Sequence, residues 1–218
     1  HRSLAGIEAV KRRSRRMTLD TGRGHAARWV AWLREQPGVI HAEAAGSLRR
    51  WKTTIGDLDL VAAAADPDAI MEAFTTHPDV RQVLGAGPNK SSVELKNGLN
   101  IQLWIQPPEN WGSLLQFVTG SKDHNVRVRE LAQKKHLSLS ERGFLREDGG
   151  EQACATEEDV YAALGLEWMP PELREDHGEV AAAKAKKLPT LVRVEQRLAE
   201  LHTHTTWSDG AATMEEMV

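Results

Sequence analysis

Hydrophobic positions along the chain change rhythm several times, and each rhythm predicts an element. Leu4, Ile7, Val10 and Met17 recur at helical spacing with arginines between them, which predicts a helix over 4–17. Ala26, Val30 and Leu33 predict a second helix over about 22–35, ending near Gln36-Pro37-Gly38. "VIHAEAAGSLRR" (39–50) reads as a short strand, a glycine turn and a helical turn, and "DLDLVAAAA" (57–65) as a buried strand. Asp66-Pro67 opens a helix running through about Phe74. In "SSVELKNGLNIQLWIQ" (91–106) two alternating runs flank Asn97-Gly98, a strong hairpin signal.

"PPENWG" (107–112) breaks the chain, and a helix over about 111–136 follows, interrupted at Thr119-Gly120-Ser121. "LSLSERGFLRE" (137–147) predicts a small strand and turn. "TEEDVYAALG" (156–165) predicts a short helix, capped by Thr156 with Asp159 at capping-box spacing and stopped by Gly165. "MPPELRE" (169–175) is irregular, and "AAAKAKK" (181–187) is a linker or a helix end. No internal repeat is visible. The order predicts an α/β unit followed by the start of another.

Composition narrows the class. Hydrophobic residues at 40% and charged residues at 27% suit a globular protein. No apolar run approaches the roughly 18–20 residues that span a bilayer, and the first residues lack the apolar core of a signal peptide. The single cysteine, Cys154, makes no internal disulfide, which points to a cytoplasmic protein. The net charge of −3 is unevenly spread: Lys11, Arg12, Arg13, Arg15, Arg16, Arg23, Arg28 and Arg34 crowd the first segment, followed by Arg49, Arg50 and Lys52. Acidic residues gather after Glu141. A polyanionic partner, or simply a solvated basic helix, fits the first segment.

The chemistry concentrates in "GSLRRWKTTIGDLDL" (46–60). On a strand, residues i and i+2 share a face, so Asp57 and Asp59 project together while Leu58 and Leu60 face the core. Two close carboxylates repel unless a cation lies between them. Such oxygen ligands suit Mg²⁺ completed by substrate phosphates. Gly46 and Ser47 offer backbone N–H groups and a hydroxyl to a phosphate, and Arg50 adds a forked donor. A bare Asp-x-Asp is more often a solvated strand end; the whole constellation is far more specific.

That stretch resembles the nucleotidyltransferase signature of family X DNA polymerases, the relatives of DNA polymerase beta: Gly-Ser-x-Arg-Arg, six residues, then Asp-x-Asp. "LLQFVTGSKDHNVRVRELA" (114–132) is similar to their second signature and "EEDVYAALGLEWMPPELRE" (157–175) to the end of their thumb. "ELHTHTTWSDG" (200–210) resembles the first motif of a PHP (polymerase and histidinol phosphatase) domain. The resemblance implies an α/β (α+β) chain with helical fingers (1–36), a nucleotidyltransferase palm with a mixed sheet (37–110), a small α/β thumb (111–178), a linker (179–197) and a truncated PHP stub (198–218). It implies that Asp57 and Asp59 bind Mg²⁺ or Mn²⁺, that Gly46, Ser47, Arg50 and Gly56 hold the triphosphate, and that Phe117, Val118 and Gly120 line the sugar. Asn125 would reach the base, with Lys122 beside it. The implied partners are DNA and a deoxynucleoside triphosphate, met by a monomer.

The pattern breaks at one place. Bacterial members read Gly-x-x-x-Asp-x-Arg-x-x-Pro-Pro, whereas this chain reads "GLNIQLWIQPP" (98–108). Gln102 therefore stands at the third catalytic aspartate and Trp104 at the arginine. A neutral amide neither holds the second metal well nor accepts a proton near pH 7. A two-residue Asn97-Gly98 turn would place Val93 opposite Gln102 and turn Glu94 to the other face, so Glu94 is not expected to compensate. Trp104 is expected to fill the arginine's space or to stack on a base or sugar.

In the tail, His202 and His204 are expected on one strand face with Asp209 near, a Zn²⁺ or Mn²⁺ site in an intact PHP domain only. Three functions follow: a DNA-repair polymerase core impaired by Gln102; an inactive DNA- and nucleotide-binding module serving a PHP phosphoesterase; and a nucleotidyltransferase on RNA or a small molecule.

Overall fold

The computed structural model describes residues 16–199 and 202–217, so the helix expected over 4–17 lies outside them except for its last two residues. The chain forms two units, one ending at Leu188 and the other beginning at Pro189. Met17 is not helical: β1 (Met17–Thr18) pairs antiparallel with β3 (Thr54–Ile55). The Thr18 hydroxyl then accepts from Thr21 N, and this cap starts α1 (Leu19–Arg34) earlier than its apolar spacing suggests. Its buried stripe, Gly22, Ala26, Trp29 and Leu33, packs on one face of the sheet.

β2 (Val39–Ala44) leads into α2 (Gly46–Arg49), as the sequence predicts, and β4 (Leu58–Ala64) is buried throughout except at Asp59. After α3 (Asp68–Thr75) come β5 (Val80–Ala86), β6 (Lys90–Leu95) and β7 (Asn100–Gln106). The sheet runs β2-β4-β7-β6-β5, with β4 and β7 parallel and the other neighbours antiparallel. Leu58, Leu60, Ala62 and Ala64 face the α1–α3 core. Val61, in step with Asp57 and Asp59, faces Ala45, Leu114 and Leu115. One strand thus anchors a core on one side and presents two carboxylates on the other.

The hairpin register differs from the expected one. Leu95 N donates to Leu99 O at 2.8 Å, so the loop is Lys96-Asn97-Gly98, with Gly98 at φ 87°. A three-residue loop with a left-handed glycine fits Asn-Gly as well as the two-residue turn does. Gln102 therefore faces Ser92, not Val93, and Glu94 shares the face of Gln102. Its carboxylate is paired with Arg81, Nη1 to Oε1 at 3.4 Å.

A second layer follows. α4 (Trp111–Thr119) and α5 (Lys122–Gln133) are separated at Gly120, and the Ser121 hydroxyl caps α5 by accepting from His124 N. β8 (Leu137–Ser140), β9 (Gly143–Arg146) and β10 (Glu151–Gln152) form a small antiparallel sheet. α6 (Glu157–Leu164) carries the capping box between Thr156 and Asp159 and ends at Gly165 with φ 76°. A Cβ on Gly112 would meet the Thr156 carbonyl carbon at 2.0 Å, so α4 and the start of α6 approach at glycine distance. The stretch 179–197, expected as a linker, opens with α7 (Glu179–Lys184), whose Glu179 and Ala183 are buried. A core of Val128, Ala132, Phe144, Val160, Tyr161 and Met169 unites these elements.

In the second unit, the described tail carries single helical turns at Val194–Gln196 and Glu215–Met217. Residues 202–205 are not a strand, so the expected strand-face geometry of His202 and His204 is absent: a lone strand has no partner there for its backbone groups.

Candidate nucleotide and metal site

The site forms where β4, β7 and α2 meet. Ala45 N donates to Asp59 O at 2.8 Å, joining the start of α2 to β4. Gly46 then sits against the Asp59 side chain: a Cβ at 46 would lie 2.0 Å from Oδ2. Gly46 also has φ 58°, so glycine is required both by conformation and by close approach. Ser47 occupies the same turn, half-buried.

Across the parallel pair, Gln102 stands beside Asp59. Its Nε2 donates to Asp57 Oδ2 at 2.9 Å. The Asp59 carboxyl is pushed up to about 7, first by burial and then by the charge of Asp57, while Lys90 and Arg50 pull it down. A donor set of two carboxylates, one of them unwilling to ionise unaided, fits a divalent cation. Gln102 fits a third ligand position poorly, because its amide is neutral and turns a donor nitrogen towards Asp57. Among the described residues no group of three or more His, Cys, Asp or Glu side chains is arranged to hold a metal.

The basic residues beside the turn at Gly46 are engaged by their neighbours. Arg50 Nε donates to Glu175 Oε1 at 2.8 Å, and its Nη1 to Thr119 O at 2.8 Å. Lys52 lies 3.3 Å from the same glutamate oxygen. Arg16, visible in the sequence only as one member of a basic run, donates to Thr54 Oγ1 at 2.7 Å and would lie 3.3 Å from a Cβ on Gly56. A cleft lined by Arg16, Thr21, His25, Gly56 and the Asn97-Gly98 turn opens beside it.

The opposite wall is α4 and α5. Phe117 and Val118 are half-buried and Lys122 is exposed. Asn125 Nδ2 donates to Phe117 O at 2.7 Å and to Gly120 O at 3.3 Å, and its Oδ1 accepts from Gln116 Nε2 at 3.1 Å. A Cβ on Gly120 would be 2.5 Å from that Oδ1. Trp104 meets Phe117 edge-on at 6.0 Å, and Lys90, its cross-strand partner, places Nζ 3.9 Å from the indole centroid. Trp104 therefore packs against Phe117 and Lys90, and Lys90 brings a cation towards Asp59. Lys90 carries no local signal in the sequence, because its partner Trp104 lies on a different strand.

A buried ion network, also unforeseen, joins α2 to α6. Arg49 donates to Glu157 at 2.8 and 3.0 Å and to Thr119 Oγ1 at 2.8 Å. The fully buried Arg174 grips the same carboxylate through both terminal nitrogens. Burial alone would raise the Glu157 pKa, but the hydrogen bonds from Arg174 and Arg49 outweigh it and hold the group at about 2.

In the tail, His202 Nε2 and His204 Nε2 are 2.9 Å apart, and His204 Nδ1 is 2.5 Å from Asp209 Oδ1. These side chains do meet, but through one another.

The fold is similar to that of a polymerase beta. A solved structure of Leishmania infantum polymerase beta, described as a ternary gap complex, matches with a TM-score of 0.65 at 16% identity, over 78% of this chain and 74% of that one. Residues 114–175 match the family described as DNA polymerase beta thumb. The DNA polymerase/3'-5' exonuclease PolX of Bacillus subtilis is 34% identical over 182 residues, covering 82% of this chain and 32% of the relative. DNA polymerase lambda of Rattus norvegicus is 26% identical over 168 residues, 64% of this chain and 29% of the relative. These matches make the chain similar to part of family X DNA polymerases, and it spans about a third of the length of the curated relatives it matches.

Proposed function

We propose that this chain is the core of a family X polymerase that binds DNA and a metal–nucleotide for template-directed nucleotidyl transfer in DNA repair, and that transfer is impaired at Gln102. In this reading Asp57 and Asp59 hold a Mg²⁺ or Mn²⁺ ion, Ser47, Arg50 and Gly56 receive the triphosphate, and Phe117, Val118, Gly120 and Asn125 take the sugar and base. A bound divalent cation supplies charge neutralisation at the transferring phosphoryl group and activates the attacking hydroxyl. The protein's own share is orientation: α2 presents its glycine turn, and Arg50 is held ready by Glu175.

The observation that carries the reading is the hydrogen bond from Gln102 to Asp57. It turns a neutral amide donor towards Asp57 at the position where the reading expects a third carboxylate, with Asp57 and Asp59 remaining as the two acids. The same observation favours a second reading, a binding module with no transfer of its own that serves a PHP phosphoesterase. Primer extension with Mg²⁺ and Mn²⁺ on gapped DNA, beside Gln102→Asp, tests both. Weak extension strengthened by the substitution supports the impaired polymerase, and equal robust extension by both proteins overturns it. Nucleotide titration beside Asp57→Ala separates binding from transfer: undiminished binding in that variant would remove Asp57 from the metal site.

A further inference from the structure

His124 is fully buried between three helices, a costly place for an imidazole unless both nitrogens are served. Both are. Nδ1 lies 2.7 Å from Glu179 Oε1 and Nε2 lies 3.1 Å from the Tyr161 hydroxyl. Burial lowers the pKa of the ring, more than Glu179 raises it. A neutral imidazole donates from one nitrogen and accepts at the other, so Nδ1–H donates to Glu179 and the Tyr161 hydroxyl donates to Nε2.

Glu179 does more than receive the histidine. Its Oε1 accepts from Asp176 N at 3.0 Å and its Oε2 from His177 N at 2.7 Å, so it shapes the turn after Glu175. Glu175 in turn holds Arg50, and Arg50 donates to Thr119 O. Ser121 N donates to Arg174 O at 3.1 Å, and Ser121 caps the turn that carries His124. The connections close a ring: His124, Glu179, the 174–177 turn, Glu175, Arg50, Thr119, Ser121 and back to His124. Gly120 links Thr119 to Ser121 within that ring, Asn125 follows His124 in the chain, and Arg50 is itself a member.

We propose that His124 is a positioning residue that couples the base-and-sugar side of the nucleotide site to its phosphate-binding arginine through Glu179. The proposal rests on the reading of Arg50, Gly120 and Asn125 as nucleotide contacts. His124 touches no substrate. It sets the spacing between two walls that must grip one ligand together.

Two substitutions separate positioning from packing. His124→Phe keeps bulk and loses the donor to Glu179; His124→Asn loses bulk and keeps an N–H near the position of Nδ1. If His124 merely fills the core, Asn is the worse variant. If it positions, Phe is the worse variant, with the dissociation constant for deoxynucleoside triphosphate in Mn²⁺ raised about tenfold, the scale of one hydrogen bond to a charged group. Amide hydrogen exchange on the full chain without nucleotide gives an independent readout: the Phe variant speeds exchange over 119–125, 174–179 and 46–52 together, while the Asn variant leaves 46–52 protected. Unchanged exchange over 46–52 in the Phe variant overturns the coupling, as does wild-type nucleotide affinity in that variant. Should the wild-type chain bind no nucleotide, the nucleotide reading falls and the exchange pattern alone decides the coupling.

Discussion

Gln102 and Asp57 are joined side chain to side chain, Nε2 to Oδ2 at 2.9 Å, although the strand register sets Gln102 beside Asp59 and Asp57 lies just before β4. The donor therefore occupies an Asp57 oxygen that a cation would otherwise use. Gln102→Asp replaces this attraction with a third negative oxygen pair, which deepens the demand for a cation. Primer extension in Mn²⁺ is expected to rise by about a hundredfold, the scale of one preorganised contact to a transition state. A steady-state assay on gapped DNA reads this directly.

Gly46→Ala tests the phosphate turn. The new Cβ would press on the Asp59 carboxylate and require a left-handed alanine. The expected outcome is a loss of about 1–3 kcal/mol in stability from the backbone conformation alone, together with loss of nucleotide binding. Urea denaturation and a nucleotide titration measure the two effects separately.

Glu157 gives the protein an acid-sensitive joint. Its folded pKa of about 2 is below the ordinary 4.5, so its contribution is complete above pH 4.5 and is lost as pH falls towards 2. The difference corresponds to stability on the order of 3 kcal/mol. Glu157→Gln is expected to destabilise at pH 7 and to differ little from wild type near pH 2, as followed by denaturant midpoints across the range. Leaving Arg174 buried and unpaired makes the neutral-pH loss larger than a surface pair would give.

Asp59 acts in the opposite direction. Its raised pKa, from 3.8 to about 7, means that without metal the folded state loses stability relative to the unfolded chain as pH rises from 4 to 7. Asp59→Asn is therefore expected to raise the melting temperature in a chelator at pH 8, with the gain shrinking to nothing below pH 4. Thermal scans at several pH values test this. If Asp59 holds the cation as proposed, Mn²⁺ is expected to raise the melting temperature of the wild type and not that of this variant.

Much of this was legible in the chain because the signals are local. Thr156 with Asp159, Gly165 after the last helical turn, and the break at Thr119-Gly120-Ser121 act within a few residues, and the structure has each of them. The hairpin was legible but its register was not: Asn97-Gly98 suits a two- or a three-residue loop, and one residue of slip turns Glu94 from one face to the other. Arg16, Lys90, Arg49 and Glu157 were not legible as site neighbours. Arg49 and Glu157 are separated by 108 residues, and no periodicity reports such a contact.

The sequence by itself determined the Asp-x-Asp alternation of 57 and 59, the glycine turn at 46 and the replacement at Gln102, since strand period and spacing are properties of neighbouring residues. Tertiary structure alone decided that Gln102 donates to Asp57, that burial lifts Asp59 to about 7, and that His124 is enclosed with Glu179 and Tyr161. Hydrogen-bond partners and solvation belong to groups brought together from distant parts of the chain, and they exist only once the chain has folded.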